Sequence, residues 1–160
     1  MSVAFMKEES AETAAETVLP DRPISPHPNL VTETGLKALE QQLQSARGAY
    51  EAANAIEEIN ERRRQLAGPA RDIRYFAERV HTAQLVPAPA STGTVAFGGT
   101  VRFSRDDGRE QVYRIVGEDE ADPKAGTISY VSPVARALMG KSAGDLVTVG
   151  NQELEIIAIS

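Results

Sequence analysis

The chain has no cysteine and no tryptophan, and its aromatics are limited to four Tyr and four Phe among 160 residues. Without cysteine there is no disulfide scaffold, no thiolate zinc site and no thiol nucleophile. Few aromatics leave little material for stacking single-stranded bases. The two histidines, His27 and His81, lie too far apart in sequence to suggest a shared metal. No apolar run approaches the roughly 20 residues that span a bilayer, and the start, MSVAFMKEES, lacks the basic and apolar regions of a secretory signal. Positive charge is also in deficit. Seventeen Lys and Arg face 23 Asp and Glu, a formal charge of −6, which argues against a free-standing duplex binder. What is there, 41% hydrophobic and 25% charged residues, is ordinary globular material. A soluble, cytoplasmic protein with no membrane partner is expected.

Three zones follow along the chain. Residues 1–31 read as a flexible, Pro-rich N-terminal tail: an acidic, small-residue opening, then an extended stretch carrying Pro20, Pro23, Pro26 and Pro28. Two readings stand, a disordered leader or an arm that packs on the body or a partner. Residues 32–86 read as a coiled-coil hairpin. Leu36, Leu39, Leu43, Ala46 and Tyr50 form one heptad seam, and Ile73, Phe76, Val80 and Ala83 form another. Thr32 is placed to cap the first helix. Pairing the seams antiparallel sets Leu36 against Ala83 and puts the apex near residues 59 and 60, with arms of about 24 residues, or roughly 36 Å. Gly68-Pro69 interrupts the second arm, so that arm either kinks there or starts there; the kinked hairpin is the preferred reading. A linker at 87–93 (PAPASTG) leads to a third zone, 94–160. That zone reads as strands at 94–97, on both sides of Asp107-Gly108, in TISYVS, in DLVTVG and in ELEIIAI, with one short helix. The helix opens on Ser132 and Pro133 and stops at Gly140. The fold class is therefore α+β: a helical hairpin followed by a small β-rich domain with one short helix.

Chemistry-bearing patterns are sparse. No serine pairs with a histidine, and neither FGGT nor VGED has phosphate-loop spacing. No residue is assigned a catalytic or metal-ligating role. Glu118, Asp119, Glu120 and Asp122 form an acidic stretch, either solvated or facing a basic partner. Glu57, Glu58 and Glu61 lie near the apex beside Arg62, Arg63 and Arg64. These are either helix-surface charges paired along the helix or carboxylates carried to a distant metal. A protruding hairpin without a pocket is more a probe or lever than an enzyme.

The stretch YRIVGEDEADPKAGTISYVSPVARALMGKSAGDLVTV resembles the C-terminal domain of the GreA/GreB transcript cleavage factors, through YRIVG, the acidic DEAD, the Ser-Pro-x-Ala-Arg-Ala-Leu segment and the closing Gly-Asp strand. FGGTV, VTETGLKALEQQL and AERVHTAQLV are similar to other parts of that family, so the likeness covers about residues 31–160. It implies an FKBP-like C-terminal domain that docks at the rim of the RNA polymerase secondary channel, and a coiled coil that enters the channel. Nascent RNA or DNA would be met only indirectly. On this resemblance Ser132, Pro133, Ala135 and Arg136 belong to the docking surface, with Val131 where some members carry an acid. The family's acidic tip motif is absent. The coiled coil is about 15 to 20 residues shorter, a loss of roughly 13 Å in reach. The resemblance therefore implies a monomeric polymerase-binding elongation regulator, without a cofactor of its own, whose cleavage stimulation is weak or lost. Two alternatives stay open: a cleavage factor using the apical glutamates, and a peptidyl-prolyl isomerase.

Overall fold

The computed structural model describes residues 18–160. The acidic opening of the tail lies outside the described residues. From residue 18 onward the chain forms β1 (Leu30–Val31), α1 (Glu33–Asn54), α2 (Ile59–Thr82), β2 (Gln84–Leu85), β3 (Thr100–Arg105), β4 (Glu110–Val116), β5 (Thr127–Ser129), α3 (Pro133–Leu138), β6 (Leu146–Val149) and β7 (Gln152–Ile159). The architecture is a helical hairpin plus a β-rich unit with one short helix.

The chain divides into two compact units, one combining 18–25 with Leu39–His81, the other combining Pro26–Ala38 with Thr82–Ser160. This differs from a division at the 87–93 linker. The expected hairpin, 32–86, yields both its ends to the β-rich unit. The reason lies in the backbone: Gln84 donates to the Asn29 carbonyl at 2.8 Å and Val86 to the Val31 carbonyl at 2.9 Å, which makes β1 and β2 a parallel pair. Leu30 and Val31, read as the end of the tail, are thus strand, and the second helix ends at Thr82 rather than running to 86.

In the hairpin unit, α1 buries Leu39, Leu43, Ala46 and Ala53, a seam of heptad spacing. Tyr50, expected on that seam, is 37% exposed, and Ala53 takes the place seven residues after Ala46. The last amides of α1 and its exit, Ala55 and Ile56, bond back to the carbonyls of Ala52 and Ala53. Tightened bonds of this kind end a helix where neither Gly nor Pro does. The turn occupies 55–58, not 59–60. α2 then runs unbroken through Pro69. That excludes a second helix starting at Pro69, although an interior proline costs a helix about 3 kcal/mol. Ile73, Phe76, Val80 and Ala83 are half-buried.

In the β-rich unit, five strands lie in the order β5-β4-β3-β7-β6, with β4 and β5 parallel and the other neighbours antiparallel. Alternation sends Val101 and Phe103 of β3 and Leu154 and Ile156 of β7 to one face, where they meet Ile115, Ile128, Val147, Ala135 and Leu138. The expected strand at 94–97 does not form. Val95 and Phe97 still enter the core, and the Val95 backbone pairs with Lys141 and Gly140 instead of a ladder. Gly117, which follows β4, is needed for a close approach, since a Cβ there would stand 2.3 Å from the Leu30 carbonyl oxygen.

Candidate functional site

Three groups of residues marked by sequence can now be placed. In α3, Ser132 is the cap, with extended backbone (φ −64°, ψ 151°) and its hydroxyl accepting from the Ala135 amide at 3.3 Å. Pro133 occupies the first helical position, where its missing N–H costs nothing. Pro133 and Arg136 are exposed, Ser132 is half-buried, and Ala135 is fully buried in the core. The four residues therefore split by role. Ala135 and Leu138 fasten the helix to the sheet, and the helix turns Pro133 and Arg136 outward. Ala135 cannot itself touch a partner.

At the hairpin turn two of the three apical carboxylates, Glu58 and Glu61, are engaged by neighbouring groups. Glu58 precedes α2, and its side chain accepts from the amide of Asn60 at 3.0 Å and from the amide of Glu61. Those two backbone bonds hold its carboxyl below the usual carboxylate range. Glu61 accepts from Arg64 at 2.7 Å and from Gln65 at 2.9 Å, and these partners lower its carboxyl likewise. Arg62 reaches across the turn and donates to the carbonyl of Ile56, a turn residue two positions beyond α1, at 3.2 Å. Glu57 and Arg63 are exposed. Among the described residues no three His, Cys, Asp or Glu gather as metal ligands. The turn is a capped and cross-braced corner, in which Glu58 and Glu61 serve α2 itself.

In the acidic stretch after β4, Asp119 and Asp122 are exposed, as the solvated reading expects, whereas Glu120 is engaged within the fold. Glu120 receives the hydroxyl of Thr32, whose oxygen in turn accepts from the Gly35 amide at 3.0 Å. A Cβ on Gly35 would lie 2.6 Å from a Glu120 oxygen, so glycine admits the carboxylate to the first turn of α1. Thr32, the expected cap, is confirmed in that role and is only 3% exposed. Sequence spacing holds no signal for a partner 88 residues away.

The fold and these sites define a class: a two-unit protein with a braced helical hairpin in one unit and, in the other, a small α+β fold presenting one short capped helix. Residues 90–160 match the family described as "Transcription elongation factor, GreA/GreB, C-term". The transcription elongation factor GreA of Desulfovibrio desulfuricans is 36% identical over 150 residues, covering 81% of this chain and 92% of the relative. GreA of Beijerinckia indica is 37% identical over 122 residues, 72% of each chain. The GreA match in Alkalilimnicola ehrlichii is 48% identical over 88 residues but spans only 56% of that relative's length. Among solved structures, the GreA factor homolog Gfh1 of Thermus thermophilus aligns over 82% of this chain and 97% of its own, at 21% identity and a TM-score of 0.40. The chain belongs to the GreA/GreB family.

Proposed function

We propose that the chain is a non-catalytic transcription elongation factor that binds RNA polymerase and regulates it without stimulating transcript cleavage. The relatives are named as transcription elongation factors, which supports the general role. In this reading the β-rich unit docks at the rim of the secondary channel through Pro133 and Arg136, with Ser132 setting the helix start. The hairpin occupies the channel, acting as a monomer in the cytoplasm with no cofactor of its own. Any contact with RNA or DNA of the elongation complex is secondary to the polymerase.

One observation carries the loss of cleavage. Glu58 and Glu61 spend their oxygens on the first turns of α2, and a divalent ion at a polymerase active site needs oxygen ligands that are free to approach within about 2 to 2.6 Å. Arms of 22 and 24 residues extend only about 33 and 36 Å. The test uses backtracked elongation complexes with Mg²⁺. The expected result is a stable complex that a cleavage-competent relative displaces, with RNA of unchanged length. RNA shortening would overturn the reading, and its disappearance in Glu57→Gln, Glu58→Gln or Glu61→Gln would make that carboxylate a ligand. Absence of binding at micromolar protein would overturn it altogether. Arg136→Glu is expected to weaken binding with the fold intact.

A further inference from the structure

Pro69 leaves α2 with a local weakness. It supplies no amide for the Gln65 carbonyl, its ring crowds that carbonyl, and Gly68 beside it is the least helix-committed residue after proline. Yet the helix is continuous. Within the same unit, the segment before the hairpin lies along α2 just past this point. Arg22 stacks its guanidinium over the Tyr75 ring at 3.8 Å and faces Phe76 at 5.1 Å, while the two rings meet edge to face at 5.2 Å. Arg22 also pairs with Asp72 at 3.5 Å, and Asp21 pairs with Arg74 at 2.5 Å. The charges are reciprocal: acid then base on the segment, base and acid on the helix. A one-residue slip would set like charges together. Asp72 stands three residues beyond Pro69, about 4.5 Å along the axis. Pro20 and Pro23 flank the pair, and their fixed φ lowers the entropy lost on docking.

We propose that residues 20–24 are a splint on α2, clamping the turn after Pro69 so that the proline does not become a hinge. Its ionic fasteners are partly exposed, so the splint is releasable: salt screens the ion pairs and weakens the guanidinium–ring attraction, which is electrostatic too. The stiffness of one arm of the hairpin is thereby set by a segment outside it. The inference stands apart from the polymerase reading and is tested on the free protein.

Hydrogen exchange of the full chain, followed on peptides covering 62–75, decides it. Arg22→Ala is expected to speed amide exchange at 66–73 by about tenfold, the scale of a lost cation–π contact plus an ion pair, with peptides from β3 and β4 unchanged. In a Pro69→Ala background the same substitution should change exchange by less than about twofold, since coupled sites are not additive. An Arg22→Ala chain that exchanges like the parent overturns the splint. So does an acceleration of equal size with and without Pro69, which would make the segment an ordinary packing contact. Asp21→Arg and Arg74→Asp should each speed exchange and together restore it; a double variant no better than the singles removes the ionic fastening. Salt of about 1 M, where screening acts within about 3 Å, should speed exchange in the parent, and an unchanged rate shows the splint is not releasable.

Discussion

The two units hold together by different means. In the β-rich unit, Phe103, Ile115, Leu138, Leu154, Ile156 and Val101 are all fully buried, and one sheet face with a six-residue helix closes over them; Val116, equally buried, follows Ile115 in its strand and so lies on the opposite face. Among the described residues of the hairpin unit the buried apolar set is Leu39, Leu43, Ala46 and Ala53, half of it alanine, and α2 buries only Arg79. What the hairpin lacks in core it supplements with polar fastenings: the Glu58 cap, the Arg62 bridge to Ile56, and the Asp21 and Arg22 pairs. Burial is proportional to area and non-directional, whereas exposed ion pairs contribute about 0 to 1 kcal/mol each and depend on salt. A two-helix arm cannot build a deep interior, so its stability rests on many small contributions. The β-rich unit rests on a few large ones.

Substitutions that break this contrast rank by size. Phe103→Ala should cost about 3 to 5 kcal/mol, read as a lowered urea midpoint for the transition of the β-rich unit. Gly117→Ala should come next, near 3 kcal/mol at the upper end of overpacking, because its Cβ meets the Leu30 backbone; loss of protection at the β1–β2 amides would localise it. Leu43→Ala should cost about 2 kcal/mol, the low end for its type, since the seam can collapse around it. A Leu43 cost equal to that of Phe103 would erase the contrast. The smallest effect is a pH dependence. The Glu58 carboxyl is held below its ordinary value of 4.5 by backbone amides, so its contribution is complete above that range and disappears as pH falls through the lowered value. The melting temperature of the parent should therefore fall more than that of Glu58→Gln on going from about pH 6 to about pH 3. Parallel curves would show that the cap contributes nothing.

Much of the fold is legible residue by residue. The heptads around Leu39 and Leu43, the Thr32 cap, the Ser132-Pro133 helix start and the Asp107-Gly108 turn are each specified within a few residues, because helix and turn geometry is local. The misplacements have local causes too. The apex moved from 59–60 to 55–58 because Glu58 caps α2, and a glutamate is not a typical cap. Val95 and Phe97 have a strand's alternation but no neighbouring edge to pair with, and alternation reports burial rather than hydrogen bonding. For the candidate site, the Ser132 segment and the apical charges were visible, but their standing was not. Whether Ala135 is a surface or a core residue depends on what packs beneath it.

The residue pattern alone specifies both hairpin helices, most of the strands and the faces they bury, since these follow from periods of 3.6 and 2 and from caps and turns; the β1–β2 pair and the missing strand at 94–97 lie beyond it. Which distant polar groups meet is settled by packing in space. Glu120 finds Thr32 across 88 positions, Asp21 and Arg22 find Arg74 and Asp72, and Gly117 is needed only because the Leu30 carbonyl passes over it. Such pairings depend on close approach in space, to within a few ångströms, between residues whose separation along the chain places no constraint on them.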